Sequence, residues 1–155
     1  MTRLVTLLAV ASLALTGVAA ANDNGAKSYR AKLAPVAADA TTPTGKAHLV
    51  DGKKNNIVTI HVKGLASGTS YPWHVHSFAA GVTNPCAPGA AQGPIVTSFT
   101  YGKLTGNKHG NGAAKAKSPS FNWGAASNRY YVNVHDPATL APISCGVLHR
   151  NSDDR

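Results

Sequence analysis

From Tyr29 onward the chain breaks every few residues into short runs of alternating apolar and polar side chains, bounded by Gly, Pro, Asn and Ser. No helical period lasts long enough to define a helix. The runs read as strands cover Tyr29–Leu33, Gly45–Val50, Ile57–Lys63, Trp73–Ser77, Ile95–Tyr101, Arg129–His135 and Ser144–Leu148. The third is the clearest, with Val58, Ile60 and Val62 on one face and Thr59, His61 and Lys63 on the other. Residues 51–56, Asp-Gly-Lys-Lys-Asn-Asn, have the composition of a hairpin turn. Many short strands separated by turns predict an all-β fold, an antiparallel Greek-key sandwich or barrel of about seven or eight strands. Residues 102–128, rich in Gly, Ala, Lys, Asn and Ser, carry no assignable element.

The N-terminus follows another rule. Arg3 precedes an apolar run from Leu4 to Val18 that ends in Ala19, Ala20 and Ala21. A basic start, a short apolar stretch and small residues at its end describe a secretory signal peptide over residues 1–21, too short to span a bilayer comfortably. The remaining 22–155 have the length of one domain, exported to the periplasm or the exterior and without stable membrane insertion. Export permits disulfides, so the two cysteines, Cys86 and Cys145, are expected to pair. The other reading, a pair of thiolate ligands, lacks a Cys-x-x-Cys spacing.

The chemistry concentrates in Trp73-His74-Val75-His76 and Asn133-Val134-His135. Side chains two apart on a strand share a face, so His74 and His76 present two imidazoles to one ion, and His135 supplies a third. An all-imidazole set of low coordination number points to copper. His109, in the glycine-flanked stretch 108–112, is a candidate fourth ligand. His48 and His61 fall on solvent faces and His149 near the C-terminal end, where a histidine is ordinarily a surface residue.

Charge narrows the partners. Lysine and arginine number 15 against six acids, all aspartate, giving a net charge of +9, or +8 without Arg3. A catalytic glutamate is excluded, and the positive field favours small anions or anionic surfaces. Nucleic acid is not expected, because the lysines are scattered and no aromatic stacking platform or recognition motif is present. No Gly-x-Ser-x-Gly elbow or flanking carboxylate pair supports hydrolysis.

Taken in order, the strand ending Val62-Lys63-Gly64-Leu65, the aromatic-His-Val-His strand at Trp73–His76, the loop cysteine Cys86, the strand Val132–Asp136 and the ending Cys145-Gly146-Val147 resemble the copper/zinc superoxide dismutases. The resemblance implies His74, His76 and His135 as copper ligands and a Cys86–Cys145 disulfide anchoring a long loop. Two departures stand beside it. Between Cys86 and Tyr101 there is no histidine or aspartate, so zinc is not expected. Pro142 occupies the position of the family's anion-guiding arginine, and the loop 136–143 is short. Arg129 and Lys108 are then the candidate anion guides. The end of the chain, Tyr130–His135 followed by a proline and a short strand, is also similar to the secreted CHRD domains, β-domains without established catalysis.

The sequence therefore frames three readings. One is an exported copper-dependent, zinc-free enzyme acting on superoxide. The second is a non-catalytic copper scavenger, store or chaperone, and a copper chaperone is a candidate partner for either copper reading. The third is a structural envelope domain. The oligomeric state is not fixed by the sequence.

Overall fold

The structure is a computed structural model that describes residues 27–119 and 128–151. The expected signal peptide lies outside the described residues. Among the described residues eleven strands follow in chain order: β1 (Lys27–Pro35), β2 (Thr44–Asp51), β3 (Asn56–Lys63), β4 (Ser70–Tyr71), β5 (Trp73–Ala79), β6 (Thr100–Tyr101), β7 (Leu104–Thr105), β8 (Asn111–Ser118), β9 (Asn128–His135), β10 (Pro142–Val147) and β11 (His149–Arg150). There is no helix among the described residues, and the fold is the all-β antiparallel barrel that the strand pattern predicts.

One sheet runs in the order β5-β9-β10-β1-β2-β3-β8-β6, with β11 paired to β1, while β4 and β7 form a separate two-stranded ribbon. The ends of the sheet are drawn together by the segment before β6. Val96 N–H donates to Val75 O at 2.9 Å and Ser77 N–H to Pro94 O at 2.9 Å. The Tyr101 hydroxyl accepts from Val75 N–H at 3.1 Å, and Trp73 Nε1–H donates to Gly102 O at 2.8 Å. These bonds nearly close the sheet into an eight-strand barrel.

The inward-facing residues form one continuous core: Leu33 from β1, Leu49 from β2, Val58, Ile60 and Val62 from β3, Trp73 and Val75 from β5, Val132 and Val134 from β9. Most are fully buried, each contributing roughly 1.5–3 kcal/mol against its exposed state. The β2–β3 hairpin forms over the predicted turn, where Gly52 N–H donates to Asn55 O at 3.2 Å and the pairing begins at Asp51↔Asn56.

Two expectations need correction. Of Ile95–Tyr101 only Thr100 and Tyr101 are a strand. Ile95 makes a single bridge to His76 and stays 43 % exposed, while Val96 and Phe99, three apart, are buried together across a turn. Conversely, the unassigned stretch 102–128 contains β7 and all of β8. β8 runs antiparallel along the whole of β3, from Asn56↔Ser118 to Lys63↔Asn111.

Candidate metal centre

β5 and β9 are buried on both faces. Their odd–even alternation sends Trp73, Val75, Val132 and Val134 into the barrel and His74, His76, Tyr131, Asn133 and His135 to its outer side. That outer side is covered by the chain between β5 and β6. Cys86, in this covering segment, is disulfide-bonded to Cys145 on β10 with a Cα–Cα distance of 5.5 Å, and the pair packs near Phe78 and Tyr131. The expected pairing is thus present, and neither sulfur is free to act as a thiolate ligand.

Beneath this cover the three imidazoles converge. One ring nitrogen from each of His74, His76 and His135 lies within 4.8 Å of the others. His76 is 2 % exposed and His135 4 %. The ring centroids are 5.4 Å apart for His74 and His135, 5.6 Å for His76 and His135 and 6.1 Å for His74 and His76.

Second contacts decide which nitrogens are offered. His76 Nδ1 lies 2.8 Å from Gly93 O, and His135 Nδ1 lies 3.0 Å from Leu140 O. A carbonyl only accepts, so each Nδ1 carries the proton and each Nε2 presents a lone pair. Those two Nε2 atoms, together with Nδ1 of His74, are buried and have no hydrogen-bond partner. Orphaned buried nitrogens are costly, on the order of 1–3 kcal/mol each. Three at one point, in the deprotonated form a metal needs, fit a metal ion as the missing partner. An imidazole whose other nitrogen donates to a backbone carbonyl is the usual arrangement around a bound metal.

The carbonyls are themselves held. Gly93 N–H donates to the Tyr131 hydroxyl at 2.8 Å, while the Tyr131 ring stacks on His76 with centroids 5.1 Å apart. A side chain at position 93 would strike the Ser77 carbonyl, so only glycine lets this segment lie against β5. Asp136 Oδ1 accepts from the N–H groups of Ala138 and Thr139, each at 2.9 Å, and from Thr139 Oγ1 at 3.1 Å. That turn delivers Leu140, at φ 58°, so that its carbonyl faces His135.

Burial keeps all three imidazoles neutral. It is the largest cause of a lowered pKa in each case, and His135 is brought down to about 4, against the opposing effect of its bond to Leu140. His74 is the least buried and opens the site to solvent. A shallow depression of about 260 Å³ lies beside it, lined also by Tyr71, Trp73, Tyr101 and Lys103.

The other sequence candidates lie elsewhere. His109 is exposed in a tight turn whose N–H groups at His109 and Asn111 both donate to Asn107 Oδ1, and it is not grouped with the three histidines. Lys108 is exposed in the same turn, and Arg129 is exposed opposite Phe78, near the start of β9. The cation at the opening is Lys103, which sequence reasoning missed. Tyr131, by contrast, was within reach, since it shares its strand face with Asn133 and His135. The described residues between Cys86 and Tyr101 bring no further ligand into the cluster. The chain matches no protein-family model and no curated protein.

Proposed function

We propose that this is an exported, mononuclear copper protein in which His74, His76 and His135 hold the ion, and that its substrate is superoxide. The observation carrying this reading is the convergence of three unpartnered imidazole nitrogens, two of them on rings, His76 and His135, whose tautomers are fixed by backbone carbonyls. Copper is preferred because the donor set is all imidazole and no carboxylate or thiolate joins it among the described residues. The disulfide is compatible with an oxidising, exported location, and no described helix is long and apolar enough to cross a membrane.

Copper held by His74, His76 and His135 would supply one-electron exchange with superoxide, whose disproportionation with two protons gives dioxygen and hydrogen peroxide. The protein's own residues hold the site and admit the anion. His76 and His135 are fixed and shielded from water. The depression beside His74 gives an anion its approach, and Lys103 supplies the attraction there that no arginine supplies at Pro142.

A second reading, copper storage without turnover, is favoured by the near-complete burial of His76 and His135. One experiment separates the two. Mature protein loaded with one equivalent of copper is freed of loose metal, and superoxide decay is followed beside the His76→Ala variant. Decay well above the spontaneous rate, abolished in the variant, supports the enzyme. Stoichiometric copper with no rate enhancement supports storage, and failure to retain copper removes both.

A further inference from the structure

The opposite side of the barrel carries an arrangement unrelated to the histidine cluster. β1, β2, β3 and β8 lie side by side, and their outward-facing residues form rows across the strands. In one row Lys32 faces Lys46, which faces His61. In the next Arg30 faces His48, His48 faces Thr59, and Thr59 faces Lys115. Lys63 and Lys117 extend the set at either end, and these rows contain no aspartate. Asp51, at the end of β2, follows the inward alternation of Ala47 and Leu49.

Like charges directly opposite one another on a sheet destabilise it. Lysine on a strand commonly protects an exposed edge from pairing. That explanation fails here, because β1, β2 and β3 are each paired on both sides. The repulsion is therefore kept without a folding reason in the isolated chain, and an anionic partner relieves it.

The surface is also shaped. A depression of about 810 Å³ is lined by Lys32, Lys46, His61 and Lys63 together with Asn107 and Asn111. A second, of about 590 Å³, shares Lys32, Lys46 and His61 and continues past Arg30 and His48. The shared residues make them one trough, running over strands spaced about 4.8 Å apart.

We propose that this trough binds an acidic polysaccharide, independently of any metal at the histidine cluster. Its cations match regularly spaced carboxylates, and its amide and hydroxyl side chains match sugar hydroxyls. No Phe, Tyr or Trp lines it, so single-stranded nucleic acid finds no stacking surface. No large apolar side chain projects from it to enter a bilayer, and a concave trough does not lie flat on one. Anchoring through this side leaves the β5–β9 side and its opening facing away.

The test is titration of the mature full-length protein with polygalacturonate at low and at physiological salt. The variant Lys32→Ser/Lys46→Ser/Lys63→Ser is compared with Lys53→Ser/Lys54→Ser/Arg129→Ser, which removes the same charge elsewhere. The first is expected to bind at least tenfold more weakly, with a shallower salt dependence, and the second to change less than twofold. Amide chemical shifts of the unmodified protein, recorded with a short oligogalacturonate, are expected to move on β1, β2, β3 and β8, which keeps the test valid should a triple variant fail to fold. Equal losses in both variants, absence of binding, or tighter binding of duplex DNA or phosphatidylglycerol vesicles than of polygalacturonate would each overturn the proposal.

Discussion

The two sides of the barrel are built from the same antiparallel strands yet bury different things. On the β1–β2–β3–β8 side only the inner face is buried, and the outer face carries lysines and exposed histidines. On the β5–β9–β10 side both faces are buried, and the outer one hides His76, Asn133, His135 and the disulfide-bonded Cys145. A strand buried on one face alternates because water demands it. A strand buried on both faces has no such reason to keep polar residues, and polar groups there need partners. The histidines on the first side meet water, whereas those on the second turn buried, unpartnered ring nitrogens toward one another. Burial distinguishes a candidate ligand from a surface imidazole where residue type does not.

The sharpest way to break this contrast is to remove an imidazole from each side. His76→Ala or His135→Ala is expected to weaken copper binding by a thousandfold or more, about 4 kcal/mol by the affinity relation. His48→Ala and His61→Ala should leave it unchanged. Competition against a chelator of known affinity measures all four, and equal losses on the two sides would place the metal elsewhere.

Next in size is the covering segment. Cys86 and Cys145 are 59 residues apart, and removing the bond with a double Ala variant is expected to cost about 4 kcal/mol in the chain-entropy account. Urea unfolding of the metal-free protein gives the value. A loss below about 1 kcal/mol would mean that the cover holds to β10 without its covalent link.

Smaller again are the residues that aim the ligands. Tyr131→Phe frees the Gly93 N–H but keeps the ring on His76, and Asp136→Ala loosens the turn carrying the Leu140 carbonyl. Each is expected to lower metal affinity tenfold to a hundredfold, in the range usual for groups that orient a ligand. Lys115→Ser, on the one-sided face, should not alter it. Chelator competition again decides, and an unaffected Tyr131→Phe would show that stacking alone orients His76.

These same contrasts explain what could be read from the sequence. The strands of the one-sided face were legible where apolar residues are large, as in Val58, Ile60 and Val62. They were not legible in β8, whose alternation is carried by Ala114 and Ala116 against Lys115 and Lys117. Alanine and glycine contribute too little apolar contrast for the period to stand out. The triad was legible because His-x-His on a strand fixes a shared face without any tertiary knowledge. Lys103 was not, because it joins His74 in lining one depression only through the closure made by Trp73 and Tyr101 across the seam of the barrel. His109 attracted attention through its flanking glycines, but the Asn107 side chain organises those residues into a closed turn of their own.

The last contrast concerns acid. In the metal-free protein burial lowers the pKa of all three clustered histidines, His135 to about 4, below the ordinary value of 6.5 that holds when the chain is unfolded. Between those values the unfolded chain binds protons that the folded one refuses. Stability is therefore full above about pH 6.5 and falls as the pH drops toward 4, by at most about 1.4 kcal/mol per pH unit for each histidine. Partial exposure of His74 makes its share the smallest. The His135→Gln variant, which takes up no proton at this position, should show a shallower decline between pH 6.5 and 4 in urea-unfolding measurements. Saturating copper should steepen the decline in the unmodified protein, because the metal requires all three imidazoles neutral. If the unmodified protein and His135→Gln lose stability in parallel across that range, the buried histidines are not what makes this side of the barrel sensitive to acid.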